Sequence, residues 1–129
     1  LIYNADTKLW EQVTASTVIK PLDAYWIYSA EMKVLTPVFD TTHPVPAAKN
    51  VYKGWNAVGI SAESSIPAKS AFNGVNWRTF LLWDAGTGKT GTVYDKDGSG
   101  AYSDEQYIPQ YKGGWLYMNE NGTLAAKTA

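Results

Sequence analysis

The sequence predicts an all-β protein, mainly antiparallel and sandwich- or barrel-like, with one short helix. Short runs of β-branched and aromatic residues are bounded by Gly, Pro, Asn or Asp, which is the pattern of strands separated by turns. Aromatic side chains are abundant, with six Trp and nine Tyr against three Phe in 129 residues. Two of the aromatic runs also repeat along the chain. The predicted strands cover residues 25–28, 55–60, 79–83 and 115–118.

The helix is predicted over residues 68–72. Ser64 or Ser65 is the expected cap, Pro67 lies near the first turn, and Asn73-Gly74 ends the helix. Clusters of Gly, Asp, Asn and Lys predict the turns, which fall at residues 84–86, 97–100, 112–114 and 121–122.

An internal repeat predicts the domain organisation. The box of residues 19–28 resembles that of residues 108–117, and in both the Ile precedes the Trp by seven residues. Upstream of the box the two copies can be aligned in two registers, and both remain open. We therefore expect residues 1–35 to be the C-terminal part of a first β-module and residues 51–129 a complete second module. Residues 36–50, which contain three Pro, are predicted to be a linker or a crossing strand.

The boxes resemble those of a known repeat. Gly54-Trp55-Asn56, the short helix, a Leu-Leu-x-Asp strand, and the Tyr-Trp and Gly-Trp strands are similar to the GWN/YW-box tandem β-repeat module. That module belongs to secreted, S-layer-like or adhesin-like cell-surface proteins of methanogenic archaea and some bacteria. The resemblance implies an extracellular β-rich structural module, and it transfers no catalytic residue to this chain.

Composition excludes several classes of partner. The formal net charge is -1, which argues against a nucleic-acid-binding surface, and no apolar run approaches the ~20 residues that span a bilayer. Without cysteine the chain has no disulfides and no thiolate metal site. The low charge and the many Thr, Ser, Asn and Tyr favour an extracellular or cell-surface location. Because the chain starts at Leu1, without Met or a signal peptide, we expect a fragment of a longer protein.

No combination of residues predicts an enzyme. The one histidine, His43, precedes Pro44 in the Pro-rich stretch, where nothing holds it beside a nucleophile. Residues 86–90 imitate a phosphate-binding loop, but Trp83 stands where its first Gly is required. The carboxylates cluster in Gly- and Ser-rich turns, where solvent keeps them ionised. We therefore expect no catalytic residue.

The loop of residues 95–106 nearly matches a calcium-binding loop. Oxygen ligands stand at positions one, three, five and nine, and Gly stands at position six. These candidate calcium ligands are Asp95, Asp97, Ser99 and Ser103. The last position is Gln106 instead of a bidentate Glu. A plain hairpin turn explains the same residues and is favoured.

The aromatic residues allow two interpretations. Trp26, Trp55 and Trp115 occupy the boxes, and we expect them to be core residues. Trp10, Trp77 and Tyr111 lie outside the boxes and are the candidates for an exposed ligand-binding face.

We expect a non-enzymatic structural module of a cell-surface or cell-envelope protein. Its partners would be neighbouring modules of the same chain or other surface proteins. The alternative is a glycan-binding or adhesion module that uses exposed aromatics and is stabilised by calcium. Two or more aromatic ring faces in solvent would favour the alternative.

Overall fold

The computed structural model describes residues 1–14, 16, 17, 20–28, 48–60, 64–110 and 112–127. Within this part of the chain the prediction of an all-β fold with one short helix is confirmed. The elements are β1 (Ile2–Asn4), β2 (Leu9–Glu11), β3 (Ala48–Val51), β4 (Gly54–Gly59), β5 (Ile66–Pro67), α1 (Ala68–Ala71), β6 (Trp77–Asp84), β7 (Lys89–Asp95), β8 (Tyr107–Ile108), β9 (Gly113–Met118) and β10 (Gly122–Ala125), with a 3-10 turn at Gly100–Tyr102.

A four-stranded antiparallel sheet lies at the centre, with strand order β4-β9-β6-β7. Three two-stranded antiparallel sheets accompany it, formed by β1 with β2, β3 with β10 and β5 with β8. The arrangement is sandwich-like because both faces of the central sheet are covered. Different segments of the chain cover the two faces.

The inner face of the central sheet carries the hydrophobic core. Side chains of β9 alternate, so that Leu116 and Met118 are buried while Trp115 and Tyr117 lie on the opposite face. Phe80 of β6 and Tyr94 of β7 extend the buried face. Helix α1, β5, β8 and β10 close over it with further apolar residues, namely Ile66, Ala68, Ala71, Phe72, Ile108 and Leu124.

Described residues among the first 28 lie over the outer face of the same sheet, where Trp26 contacts Trp115, and they also pair with the free edge of β4. The amide of Gly59 donates to the Leu22 carbonyl at 2.7 Å, and Asp23 forms an isolated antiparallel bridge with Val58. Ala57 is buried on this face, opposite Trp115. Residues 1–28 are therefore a second layer on the sheet that residues 54–118 form.

An ion pair ties the same segment to β3. The Lys49 ammonium contacts the Asp23 carboxylate, and both side chains are largely buried. The Tyr25 hydroxyl donates to the other carboxylate oxygen at 3.4 Å. Lys49 falls inside the predicted linker, yet β3 pairs in register with β10 from Ala48 onward. Residues 29–47, which hold the rest of that linker and His43, lie outside the described residues.

Helix α1 confirms the predicted helix but not its predicted cap. Pro67 is the N-cap residue and makes no side-chain hydrogen bond, so neither serine caps the helix. Instead the first two amides donate to backbone carbonyls of the loop before β8. Ala68 bonds to Gln106 at 3.0 Å and Lys69 bonds to Asp104 at 2.9 Å. Long-range backbone contacts replace the local cap.

Two local expectations are wrong. Residues 112–114 form no turn, because Gly113 and Gly114 begin β9. A Cβ on Gly114 would lie 2.1 Å from the Leu81 carbonyl oxygen, so this glycine serves the close approach of β6 and β9. Residues 25–28 form no strand either. In this run the β-bridge is confined to Tyr25, which pairs with Ile2.

Asn56 is a fully buried amide on the inner face of β4. Its Oδ1 accepts from the Tyr52 amide at 2.8 Å, and its Nδ2 donates to the carbonyls of Tyr52 at 2.7 Å and Gly54 at 3.1 Å. The Asn56 side chain therefore supplies the hydrogen-bond partners that the backbone of the turn before β4 does not find in other backbone groups. The Asn of the Gly-Trp-Asn box is thus a structural residue.

Across the described ranges, no helix combines the length and the apolar character needed to cross a membrane.

Candidate functional site

Five aromatic rings form one cluster on the outer face of the central sheet, here called the aromatic cluster. Its members are Tyr3, Trp10, Trp26, Trp83 and Trp115. Trp115 of β9 is central, with ring centroids 5.1 Å from Tyr3, 5.7 Å from Trp10 and 5.2 Å from Trp26. Most of the pairs are edge-to-face, the arrangement that the ring quadrupoles favour. The cluster joins residues 1–28 to the sheet.

The cluster is only partly covered. Trp10 is 47% exposed, as the sequence predicts for this candidate ligand-binding residue. Trp26, Trp83 and Trp115 are half-buried. The sequence predicts Trp26 and Trp115 to be core residues, but both lie in a layer that solvent still reaches. Because neighbouring rings already hold each ring in place, these side chains lose little conformational entropy when a ligand stacks on them.

A cleft of about 600 Å³ opens beside the cluster. Trp26 forms one wall together with Ile27 and Tyr28, and Trp83 forms another with the turn between β6 and β7. Gln12 and Val13 contribute the third side. The Trp26 and Trp83 ring centroids are 6.0 Å apart with the planes at 73°, so the two indoles meet as a corner. The cleft lies in the size range of small-molecule sites.

Trp77 is not part of an exposed face, which corrects the prediction. Its side chain is only 2% exposed and packs against Phe72 at a centroid distance of 5.1 Å. Simple alternation from Thr79 and Leu81 would place Trp77 outward. A bulge between Trp77 and Thr79 inserts one extra residue against β9, and this turns Trp77 to the core. The third candidate, Tyr111, lies outside the described residues.

Trp55 also departs from its predicted core role. It is 40% exposed and stacks edge-on against Tyr117, its partner across β4 and β9, at 5.1 Å. Both rings lie on the outer face, apart from the residues that line the cleft. Tyr28, Tyr102 and Tyr107 are exposed as well.

The acidic loop is a turn closed by its own hydrogen bonds. Asp95 Oδ1 accepts from the Thr79 hydroxyl at 2.8 Å, and the Gly98 amide donates to the Asp95 carbonyl at 2.9 Å. Asp97 adopts a left-handed φ of 58°, and its amide donates to the buried Asp104 carboxylate at 3.0 Å. These contacts correspond to the plain-turn interpretation of the sequence.

The calcium site at Asp95, Asp97, Ser99 and Ser103 stays a prediction. Ser103 Oγ accepts from the Glu105 amide at 3.0 Å, and Gln106 donates to the Gly100 carbonyl at 3.0 Å. Within the described ranges no three acidic, His or Cys side chains are grouped so as to hold a metal ion. Calcium binding would raise the melting temperature, and an unchanged melting temperature after chelator treatment would reject the site.

Two tyrosines are perturbed by their surroundings. Burial raises the pKa of the Tyr94 phenol, whose hydroxyl donates to the Tyr107 carbonyl at 3.0 Å. Burial is also the main cause that raises the pKa of Tyr25. The negative charge of Asp23 adds to the rise, while the bond from the Lys20 amide opposes it. Both phenols are held protonated by the fold.

Tyr94→Phe is expected to lower the free energy of unfolding, relative to the wild type, by less at alkaline pH than at pH 8. At pH 8 the variant lacks one buried hydrogen bond and loses about 1 kcal/mol. Above the ordinary tyrosine pKa of about 10, the unfolded wild type releases a proton that the folded state retains, so the wild type loses stability as pH rises. Urea denaturation at pH 8 and pH 11 measures both proteins. A deficit that is constant or larger at pH 11 would contradict this account.

Sequence reasoning missed Trp26, Trp83 and Gln12 as cleft residues. The useful signal was the alternation in β9, where Gly114, Leu116 and Met118 share one face. That pattern places Trp115 on the other face, away from the aliphatic core. Which segment covers this face depends on contacts between distant residues, and no local pattern encodes them.

No family model matches this chain, and neither a curated protein nor a solved structure matches it significantly.

Proposed function

We propose that the protein is a non-enzymatic structural module of a cell-surface or cell-envelope protein. Its composition, low in charge and rich in Thr, Ser, Asn and Tyr, supports an extracellular location. The GWN/YW-box resemblance supports the same assignment. Neighbouring modules of the same chain or other surface proteins are the proposed partners.

The observation that carries this proposal is the docking of the first repeat box onto the second. Trp26 and Trp115, the equivalent Trp residues of the two boxes, are in contact with a ring-centroid distance of 5.2 Å. The Lys49–Asp23 ion pair and the bond from Gly59 to Leu22 add polar links along the same contact. Contacts of this kind limit the relative motion of neighbouring modules, which a linker alone would not do.

The chemistry of the acidic groups supports a non-enzymatic role. Asp84 caps the turn that follows β6, where its Oδ1 accepts from the Gly86 amide at 2.9 Å. Asp95 and Asp104 are likewise engaged in hydrogen bonds within the fold. These carboxylates satisfy backbone and hydroxyl donors, which is a structural task.

Surface labelling tests the proposal. An antibody raised against the folded chain is applied to intact cells and to permeabilised cells of the source organism, with a cytosolic protein as the control. We expect equal labelling of intact and permeabilised cells. Labelling that requires permeabilisation would refute the surface location.

A glycan-binding or adhesion module is the second candidate, favoured by the exposed aromatic rings. Trp10 and Trp55 are 47% and 40% exposed, so two indoles are open to solvent on the outer side of the molecule. The exposure of these two side chains supports the alternative, which requires two or more ring faces in solvent. A glycan array probed with the labelled protein tests it, and an array without hits would reject this candidate.

A further inference from the structure

We propose that the cleft between Trp26 and Trp83 is a binding site for a neutral saccharide of one or two sugar rings. This inference rests on the second proposed function, glycan binding, and assigns it a place and a ligand class. The residues concerned are Trp26, Trp83, Tyr28 and Gln12. They differ from the candidates Trp10, Trp77 and Tyr111 that the sequence favours.

The size of the cleft fits such a ligand. Its volume of about 600 Å³ lies within the 300–1,000 Å³ range of small-molecule sites, and this leaves room for more than one sugar ring. The two indoles meet edge to face with their planes at 73°, and both line the cleft. The apolar C–H face of a sugar packs on one indole while its edge, or a second sugar, contacts the other.

The corner is preorganised. Trp26 is held by Trp10 at 5.3 Å and by Trp115 at 5.2 Å. Its backbone exchanges two hydrogen bonds of 2.8 Å with Leu1, so both the ring and the chain are fixed. Trp83 stands in β6, paired with Thr90 of β7. Stacking on rings that are already fixed costs little conformational entropy.

The charge of the lining specifies a neutral ligand. Among the described residues that line the cleft, no side chain is charged, and the one charged group is the Leu1 ammonium, which donates to the Trp26 carbonyl at 2.8 Å. The Gln12 amide has both donors and an acceptor, and the Tyr28 hydroxyl has one of each. A sugar fits such a lining, because its C–H faces pack on the indoles and its hydroxyl groups hydrogen-bond to the uncharged polar groups. A phosphate or carboxylate ligand would find no cationic side chain here, and the Leu1 ammonium already donates to the Trp26 carbonyl.

The probes are maltose, cellobiose, lactose and N,N′-diacetylchitobiose, titrated against the whole chain. The indole N–H signals in an amide-type two-dimensional NMR spectrum report each Trp separately. We expect at least one disaccharide to shift the Trp26 and Trp83 signals with a Kd of about 1 mM. Signals of Trp77, in the core, stay unchanged. Absence of any shift of the Trp26 and Trp83 signals up to about 50 mM would overturn this site, whereas the glycan array decides the second proposed function.

Matched variants localise the binding. Trp83→Ala is expected to weaken the sugar at least roughly tenfold, and Gln12→Ala roughly threefold, because each removes a contact in the cleft. Tyr102→Ala removes an exposed aromatic ring that does not line the cleft, and its Kd is expected to stay within about twofold. Trp83→Phe retains an aromatic face and restores part of the affinity, which separates loss of stacking from loss of folding.

Two outcomes would overturn the site while leaving other functions intact. Sugar binding that Trp83→Ala preserves and Trp55→Ala abolishes would move glycan binding to the Trp55–Tyr117 pair. Concentration-dependent self-association in sedimentation, abolished by Trp83→Ala and unaffected by sugar, would show that a second copy of the chain fills the cleft.

Discussion

Trp115→Ala is expected to lower the free energy of unfolding by about 3 kcal/mol and to release residues 1–28 from the sheet. Trp115 contacts three other rings, Tyr3, Trp10 and Trp26, at centroid distances between 5.1 and 5.7 Å. Truncation leaves a cavity in the aromatic cluster and exposes Ala57 beside it. The loss stays below that of a core Trp because Trp115 is only half-buried.

Urea denaturation followed by far-UV circular dichroism measures this loss. The matched control is Trp55→Ala, which removes an indole of the same sheet face that makes one ring contact, with Tyr117. We expect the control to lose about 1 kcal/mol, since Trp55 is exposed and its edge-on pair contributes little. Equal losses in the two variants would contradict the role assigned to the aromatic cluster.

Asn56→Ala is expected to lower the free energy of unfolding by about 3 kcal/mol. The amide is fully buried and serves the Tyr52 amide and the carbonyls of Tyr52 and Gly54. Alanine leaves these partly buried backbone groups without the partner that the Asn56 side chain supplies. The cost is dominated by their desolvation and not by the lost volume.

Asn119→Ala is the matched control for Asn56→Ala. The Asn119 amide donates to Asn76 Oδ1 at 2.9 Å, but both residues are exposed, so water replaces the lost bond. We expect a loss of at most about 0.5 kcal/mol in this control. Thermal and urea unfolding of both variants provide the comparison. A loss in Asn56→Ala no larger than in the control would show that the turn before β4 rearranges and finds other partners.

Local sequence signals predicted much of the fold. The strand runs at residues 55–60, 79–83 and 115–118 correspond to β4, β6 and β9, and the helix lies within its expected residues. These elements follow from β-propensity, turn residues and proline placement, which act over a few positions. The run at residues 25–28 is rich in aromatic residues, as β9 is, but forms no strand. A strand requires a hydrogen-bonding neighbour along its length, and composition alone does not supply one.

The site was less predictable for a related reason. The sequence predicts Trp77 at the surface because it lies outside the boxes, but a bulge in β6 turns its side chain to the core. Trp26 and Trp83 were assigned no binding role because their boxes resemble packing motifs. Their cleft exists because residues 1–28 fold across the outer face of the sheet. That placement depends on long-range contacts such as Gly59 with Leu22.

The central claim is that residues 1–28 are an integral layer of this fold, and amide hydrogen exchange at Gly59 tests it most directly. The Gly59 amide faces away from β9 and donates to the Leu22 carbonyl, so its protection reports the docked segment. Leu116, in the middle of β9, is the internal reference. We predict that the opening free energy at Gly59 lies within about 1 kcal/mol of that at Leu116. Exchange at Gly59 near the unprotected rate, with Leu116 still protected, would contradict the account.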